Sequence, residues 1–243
     1  MEPVKVEVNT TPGCNELRLL TGEAKKVYYP KGTSYQLDTI DAIAELVNFR
    51  GKPESTLIFV NENKIGIILD DSIVDRDKDL ARFKFKYSDE YQEWGLVLGK
   101  QVGQKTFVDF LKLREHQEVN GLDSLLSQAQ NLAFATSIVG EFNYEDNNNI
   151  TVVFKSKDAE GTAKIPQQFI VTIPLIFGSD KKVSMEIQLE LIKPREENQK
   201  PLFSLTCPKF NRYWNEAVKY ETDRLKGLLP EFKIIYGSME NQG

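Results

Sequence analysis

Apolar and polar side chains alternate most cleanly over residues 183–192, VSMEIQLELI. Val183, Met185, Ile187, Leu189 and Leu191 fall on one side, and Ser184, Glu186, Gln188 and Glu190 on the other. A period of two puts one face of a strand on a core and the other in water. The preceding run FIVTIPLIF lines up Phe169, Val171, Ile173, Leu175 and Phe177, and GSDKK between the runs predicts a reversal into an antiparallel pair. Pro174 has no N–H to donate, which predicts an edge strand or a bulge. PLFSLT, after the loop KPREENQKP, reads as a third strand. A helix over residues 211–229 follows, with Trp214, Ala217, Val218, Leu225 and Leu228 available for packing and Pro230 to stop it.

The first half predicts a β-α-β-β-β unit over residues 27–87. Its helix, residues 39–49, carries an apolar stripe at Ile40, Ile43, Leu46 and Val47, with Asp38 or Thr39 as N-cap and Gly51 placed for a left-handed C-cap. The sheet beneath it comes from STLIFV, KIGIIL and RFKFKY, the first two joined as a hairpin by Asn61-Glu62-Asn63. Residues 88–139 read as helical. Ser88 is placed to cap EYQEWGLVL, Thr106 to cap TFVDFLKLREH, and Leu122, Leu125, Leu126, Ala129 and Leu132 recur at helical spacing. EDNNNI, residues 145–150, is polar and turn-rich, and marks a boundary between parts 1–146 and 147–243, unless the two sheets share one core.

IPQQF, IPLIFG, an amphipathic C-terminal helix and IIYG occur in this order. So do LDTIDAIAELVNFRG, STLIFV, the aromatic pair of EYQEW and TFVDFLK further upstream. In these segments the chain, from about Thr33 onward, resembles the YfdQ-like proteins of phages and prophages. That family has no established biochemical role. The resemblance therefore implies a shape and a biological setting, and it carries over no catalytic residues.

Composition narrows the class. A chain of 243 residues with 40% hydrophobic and 28% charged content is globular rather than disordered. No apolar run approaches the roughly 18–20 residues that cross a bilayer, and MEPVKVEVNTTPG lacks the apolar core of a signal peptide, so a cytoplasmic location is expected. Cys14 and Cys207 have no paired spacing and read as reduced, half-buried thiols. The net charge of −5 divides unevenly, −7 over residues 1–146 and +2 over residues 147–243. Nucleic acid is thus not favoured as a partner, while the second half has room for a local basic groove.

Motifs with known chemistry are scarce. In DDSIVDRDKD, Asp75, Asp77 and Asp79 mimic the opening of a calcium loop. Leu80 stands where the turn needs glycine and Lys86 where a bidentate glutamate belongs, so a solvated acidic loop is expected and no metal is assigned. RFKFKY sends Phe83, Phe85 and Tyr87 to one side and Arg82, Lys84 and Lys86 to the other. Base-stacking strands need aromatic and basic groups together, so a buried aromatic row with a solvated basic row is expected. His116, the only histidine, falls at the polar end of a helix with no ligating partner nearby in sequence. No phosphate-cradling glycine loop and no nucleophile elbow occurs. The best local binding surface is Lys209, Arg212, Tyr213, Trp214 and Lys219 at the start of the last helix, where free N–H groups and cations suit an anion.

These patterns describe an α+β protein: a helix-on-sheet N-terminal part, a helical middle, and a C-terminal antiparallel sheet with a packed C-terminal helix. Function is expected to be binding rather than catalysis, with no catalytic residue and no cofactor assigned. The resemblance implies a phage or prophage accessory protein acting inside the bacterium, in counter-defence or in replication and recombination. Its partner is then a host or phage protein, or a small nucleotide; no membrane is involved, and a homo-oligomer is compatible with the text. A nucleotide or single-strand binder using the Lys209–Lys219 surface and a metal-dependent hydrolase using scattered carboxylates are the alternatives.

Overall fold

The computed structural model describes residues 31–72, 77–131, 142–144, 149–155, 160–192 and 202–239. Several expectations lie outside them: Cys14, Asp75, the helix beyond residue 131, residues 145–148 of EDNNNI and the whole KPREENQKP loop. The described residues form a mixed α+β fold with antiparallel-rich sheets and a helix after the last long strands.

The predicted β-α-β-β-β unit forms. Strand β1 (Ser34–Leu37) leads to helix α1 (Ile40–Arg50), whose N-cap Thr39 accepts a hydrogen bond from the Ala42 N–H through its side chain. Ile40, Ile43, Ala44 and Val47 are buried beneath it. Gly51 departs from expectation. Its φ of −77° is extended, and the glycine is needed for space, because a Cβ there would lie 2.6 Å from the Val47 carbonyl oxygen. Strands β2 (Leu57–Val60) and β3 (Lys64–Ile68) make the expected hairpin, and β4 (Leu80–Lys84) pairs with β3.

β4 ends before the RFKFKY motif does. Phe83 and Phe85 are buried as expected, but Tyr87 is 45% exposed. The chain has by then left the first sheet: Tyr87 bridges Ile176, the Lys86 carbonyl accepts from Phe177 N–H, and the Leu175 carbonyl accepts from Ser88 N–H. The aromatic row is therefore broken at its last member.

The first two middle helices are shorter than predicted. Ser88 caps α2 (Asp89–Trp94) through its hydroxyl, but this helix stops at Gly95 and the chain turns so that Gly99 N–H reaches the Leu205 carbonyl. Thr106 caps nothing. Helix α3 (Gln104–Lys112) begins two residues earlier, directly from β5 (Gln101–Gly103), with Gly103 at its N-cap. α2 and α3 pack on the second sheet, and α4 (Leu122–Asn131) packs on α3. Fully buried Trp94 lies among them, edge to face with Phe110, and its indole N–H donates to Glu118.

A small antiparallel sheet, β6 (Phe142–Tyr144), β7 (Asn149–Lys155) and β8 (Glu160–Pro166), precedes the long pair β9 (Gln168–Pro174) and β10 (Lys182–Ile192). β10 buries Val183, Met185, Ile187, Leu189 and Leu191, the alternation read from sequence. β11 (Leu202–Thr206) pairs with it as expected. β9 is the sheet's edge strand, and its last pair is Pro174 with Lys182. Beyond the proline the alternation fails, because Leu175 and Ile176 are both buried and Phe177 is 46% exposed rather than on the buried row. The open edge of β9 is covered by residues 118–120, with Asn120 N–H donating to the Ile170 carbonyl and Thr172 N–H to the Glu118 carbonyl.

Helix α5 (Phe210–Leu228) then spans both parts, packing on α1 and on β10. After it β12 (Ile234–Tyr236) adds parallel to β2, so the first sheet runs β1-β4-β3-β2-β12 and the second β5-β11-β10-β9. Each sheet thus takes a strand from the other side of residue 146, and the buried side chains form one hydrophobic cluster. Among the described residues no helix is long and apolar enough to cross a membrane.

Candidate functional site

The five residues singled out at the start of α5 do not converge. Lys209 Nζ lies 3.3 Å from the Glu186 carboxylate, and the Tyr213 hydroxyl accepts from the Glu186 backbone N–H at 3.3 Å. Trp214 turns the other way, its indole N–H donating to the Glu62 carbonyl at 3.0 Å. Arg212 and Lys219 are exposed and make no ion pair among the described residues. The helix N-terminus is also largely occupied: Phe210 N–H donates to the Cys207 carbonyl, and Arg212 and Tyr213 N–H both donate to the Lys209 carbonyl. With a carboxylate beside its lysine and few free N–H groups, this end is a poor anion seat.

The described residues of the acidic loop make no cage either. The Ser72 hydroxyl and backbone N–H both bond Asp70, holding its carboxyl at about 2, well below the usual range. Asp79 accepts from the Thr33 N–H at 2.7 Å and lies 3.8 Å from Arg50. Among the described residues no group of three or more His, Cys, Asp or Glu is placed to hold a metal ion. His116 is exposed, with Asp123 3.7 Å away. Cys207 is a free, half-buried thiol pushed up by burial.

A different surface does assemble. One face of the first sheet is buried through Ile58, Val60, Ile65, Ile67, Ala81 and Phe83. The opposite face carries, in register across five strands, Gln36, Arg82, Gly66, Phe59 and Ile235. One step along, Lys64 and Lys84 stand directly opposite each other on β3 and β4. The result is a cleft of about 680 Å³ whose lining, among the described residues, carries the cations Lys64, Arg82 and Lys84 and no carboxylate. Asn61 and Asn63 of the hairpin turn supply amides at one end, and Met239 lies over the bare backbone of Gly66 as a wall.

Lys86, the third member of the predicted basic row, is instead paired with Asp38 at 2.7 Å. Phe59 is the aromatic that the RFKFKY strand could not provide. It comes from β2, two strands away, with its position facing Gly66. Sequence spacing within one strand cannot reveal such a neighbour, because only the cross-strand register creates it.

On the far side of the Asn61–Asn63 turn lies an aromatic crevice of about 290 Å³. Tyr91 and Phe210 stack with ring centres 4.8 Å apart, and Tyr87 packs edge to face on Trp214 at 4.9 Å. Burial and the neighbouring Tyr87 and Cys207 push the Tyr91 phenol up to about 12, so it stays neutral at physiological pH. Compared with family models, with curated proteins and with solved structures, the chain matches none.

Proposed function

We propose that this protein works by binding, and that its ligand is a small nucleotide held by its phosphates in the basic cleft of the first sheet. One observation carries this: Lys64 and Lys84 face each other directly across β3 and β4, in a cleft that also takes Arg82 and, among the described residues, no carboxylate. Like charges placed directly opposite destabilise a sheet. Neither lysine has an ion-pair partner among the described residues, although the chain as a whole is acidic at −5. An anion in the cleft would turn that repulsion into attraction. The volume suits a small ligand, and Phe59 offers a ring beside the cations. The resemblance to phage and prophage proteins adds the setting: an accessory protein in the bacterial cytoplasm, serving counter-defence or phage DNA replication and recombination.

Titration of the full chain with ATP, GTP, CTP and UTP, read by calorimetry and by melting temperature, tests this. At least one should bind, raise the melting temperature as a native-state ligand must, and weaken with added salt. Lys64→Ala should weaken that binding roughly tenfold, as loss of a charged contact does. The same change should leave the free protein about 0.5 kcal/mol more stable, since a like-charge pair is relieved. Binding insensitive to salt and to both Lys64→Ala and Lys84→Ala would sink the proposal, as would no binding at all.

A further inference from the structure

The crevice and the basic cleft share Asn63, and the hairpin turn stands between them as a ridge. That ridge is tied on several sides. The Asn61 side chain accepts from Asn63 and Lys64 N–H at 2.9 Å, the Asn63 carbonyl accepts from Phe85 N–H at 3.0 Å, and the Glu62 carbonyl accepts from the Trp214 indole. The last bond also sets the plane of the indole, which stays only partly buried beside the exposed Tyr87 ring.

The chemistry of the two hollows is opposite. Among the described residues Glu62 is the one charged side chain lining the crevice, so a phosphate is repelled there. A neutral ring bearing N–H groups is not: the Glu62 carboxylate accepts from such groups. The amides of Asn63, Asn211 and Asn215 offer donors and acceptors to a ring edge, as asparagine does to bases. Tyr87 and Trp214 supply aromatic faces for stacking. Resting on the nucleotide reading of the basic cleft, we infer that the crevice is the base subsite: the ligand's purine or pyrimidine lies against Trp214, and its phosphates cross the Asn61–Asn63 ridge to Lys64 and Lys84.

Intrinsic fluorescence gives a local readout. The chain has two tryptophans, and Trp94 is fully buried while Trp214 is not, so quenching by a bound base reports Trp214. The probes are the four nucleoside triphosphates, adenosine and inorganic triphosphate, added to the full-length chain and to Trp214→Phe, Trp214→Ala and Asn215→Ala. The preferred nucleotide should quench the wild type, bind about tenfold tighter than inorganic triphosphate, and lose about tenfold in affinity with Trp214→Ala. Inorganic triphosphate should bind all four proteins alike, which shows that the variants remain folded. Trp214→Phe should retain most of the affinity and lose the quench.

If inorganic triphosphate binds as tightly as the nucleotides, dependent on Lys84 and without quenching, the base subsite is refuted and the basic cleft stands. If no phosphate-bearing probe binds in a Lys84-dependent way, the cleft itself is refuted, and the subsite with it.

Discussion

A methyl group at position 51 would meet the Val47 carbonyl oxygen at 2.6 Å, the Thr56 hydroxyl at 2.9 Å and the Phe232 ring at 3.1 Å. The Gly51 N–H donates to that same carbonyl at 2.7 Å, which closes α1 and holds its end against the first sheet. No rearrangement confined to a flexible side chain relieves a clash with backbone. Gly51→Ala is therefore expected to destabilise the protein by roughly 1–3 kcal/mol, seen as a lower urea midpoint with an unchanged slope. A midpoint equal to that of the wild type would show that the α1 terminus relaxes freely. Gly178 uses the other property of glycine: its φ of +75° lies in the left-handed region, where it turns the chain between β9 and β10.

Helix α5 carries a buried carboxylate that ties it to both parts of the fold. Glu221 is 1% exposed, accepts from the Ser179 hydroxyl after β9, and pairs with Arg224 at 3.2 Å. Arg224 in turn reaches Asp41 in the first turn of α1 with both oxygens of its carboxylate in range. Removing Arg224 leaves Glu221 buried with a single hydroxyl partner among the described residues. Arg224→Ala should cost roughly 3 kcal/mol, at the lower end for a broken buried pair because the guanidinium is itself partly exposed. Asp41→Ala should cost about 1 kcal/mol or less, since that carboxylate is 58% exposed and its charge is screened by water. Thermal denaturation of the two variants ranks them; equal losses would mean that Glu221 does not depend on Arg224.

The two large sheets cannot be taken apart along the chain. β5 comes before residue 146 and completes the second sheet, while β12 comes from the C-terminal end and completes the first. Between them the buried side chains run continuously from Ile40 to Leu229. Chains of this length commonly unfold in stages, but an interleaved pair of sheets loses packing in both halves at once. Far-ultraviolet circular dichroism and tryptophan emission should accordingly trace one coincident transition. Trp94 reports the helical middle on the second sheet, and Trp214 the junction of α5 with the β2–β3 turn. Two separated transitions would overturn this picture of a shared core.

What could be read without coordinates was whatever burial writes locally. One-sided burial imposes the period of two on β10, and a helix needs its first N–H groups satisfied, so the Thr39 and Ser88 caps were legible. Pro174 was legible as an edge residue because it has no hydrogen to give. Phe177 and Tyr87 were misplaced for a shared reason: each follows its strand's alternation on paper, but the chain has already left that strand to bridge the other sheet. Thr106 failed as a cap because β5 runs straight into α3. The candidate site was least legible of all. Arg82 and Lys84 stood out as a basic row and Trp214 as part of a surface on the last helix, but Lys64 and Phe59 join them through strand register, and Trp214 meets the β2–β3 turn through helix docking, across the 152 residues that separate it from Glu62. The order of residues determined which segments would become strands and helices, because each carries its own burial pattern. Only the tertiary structure decided which charges and rings would meet, because that depends on pairings no single segment contains.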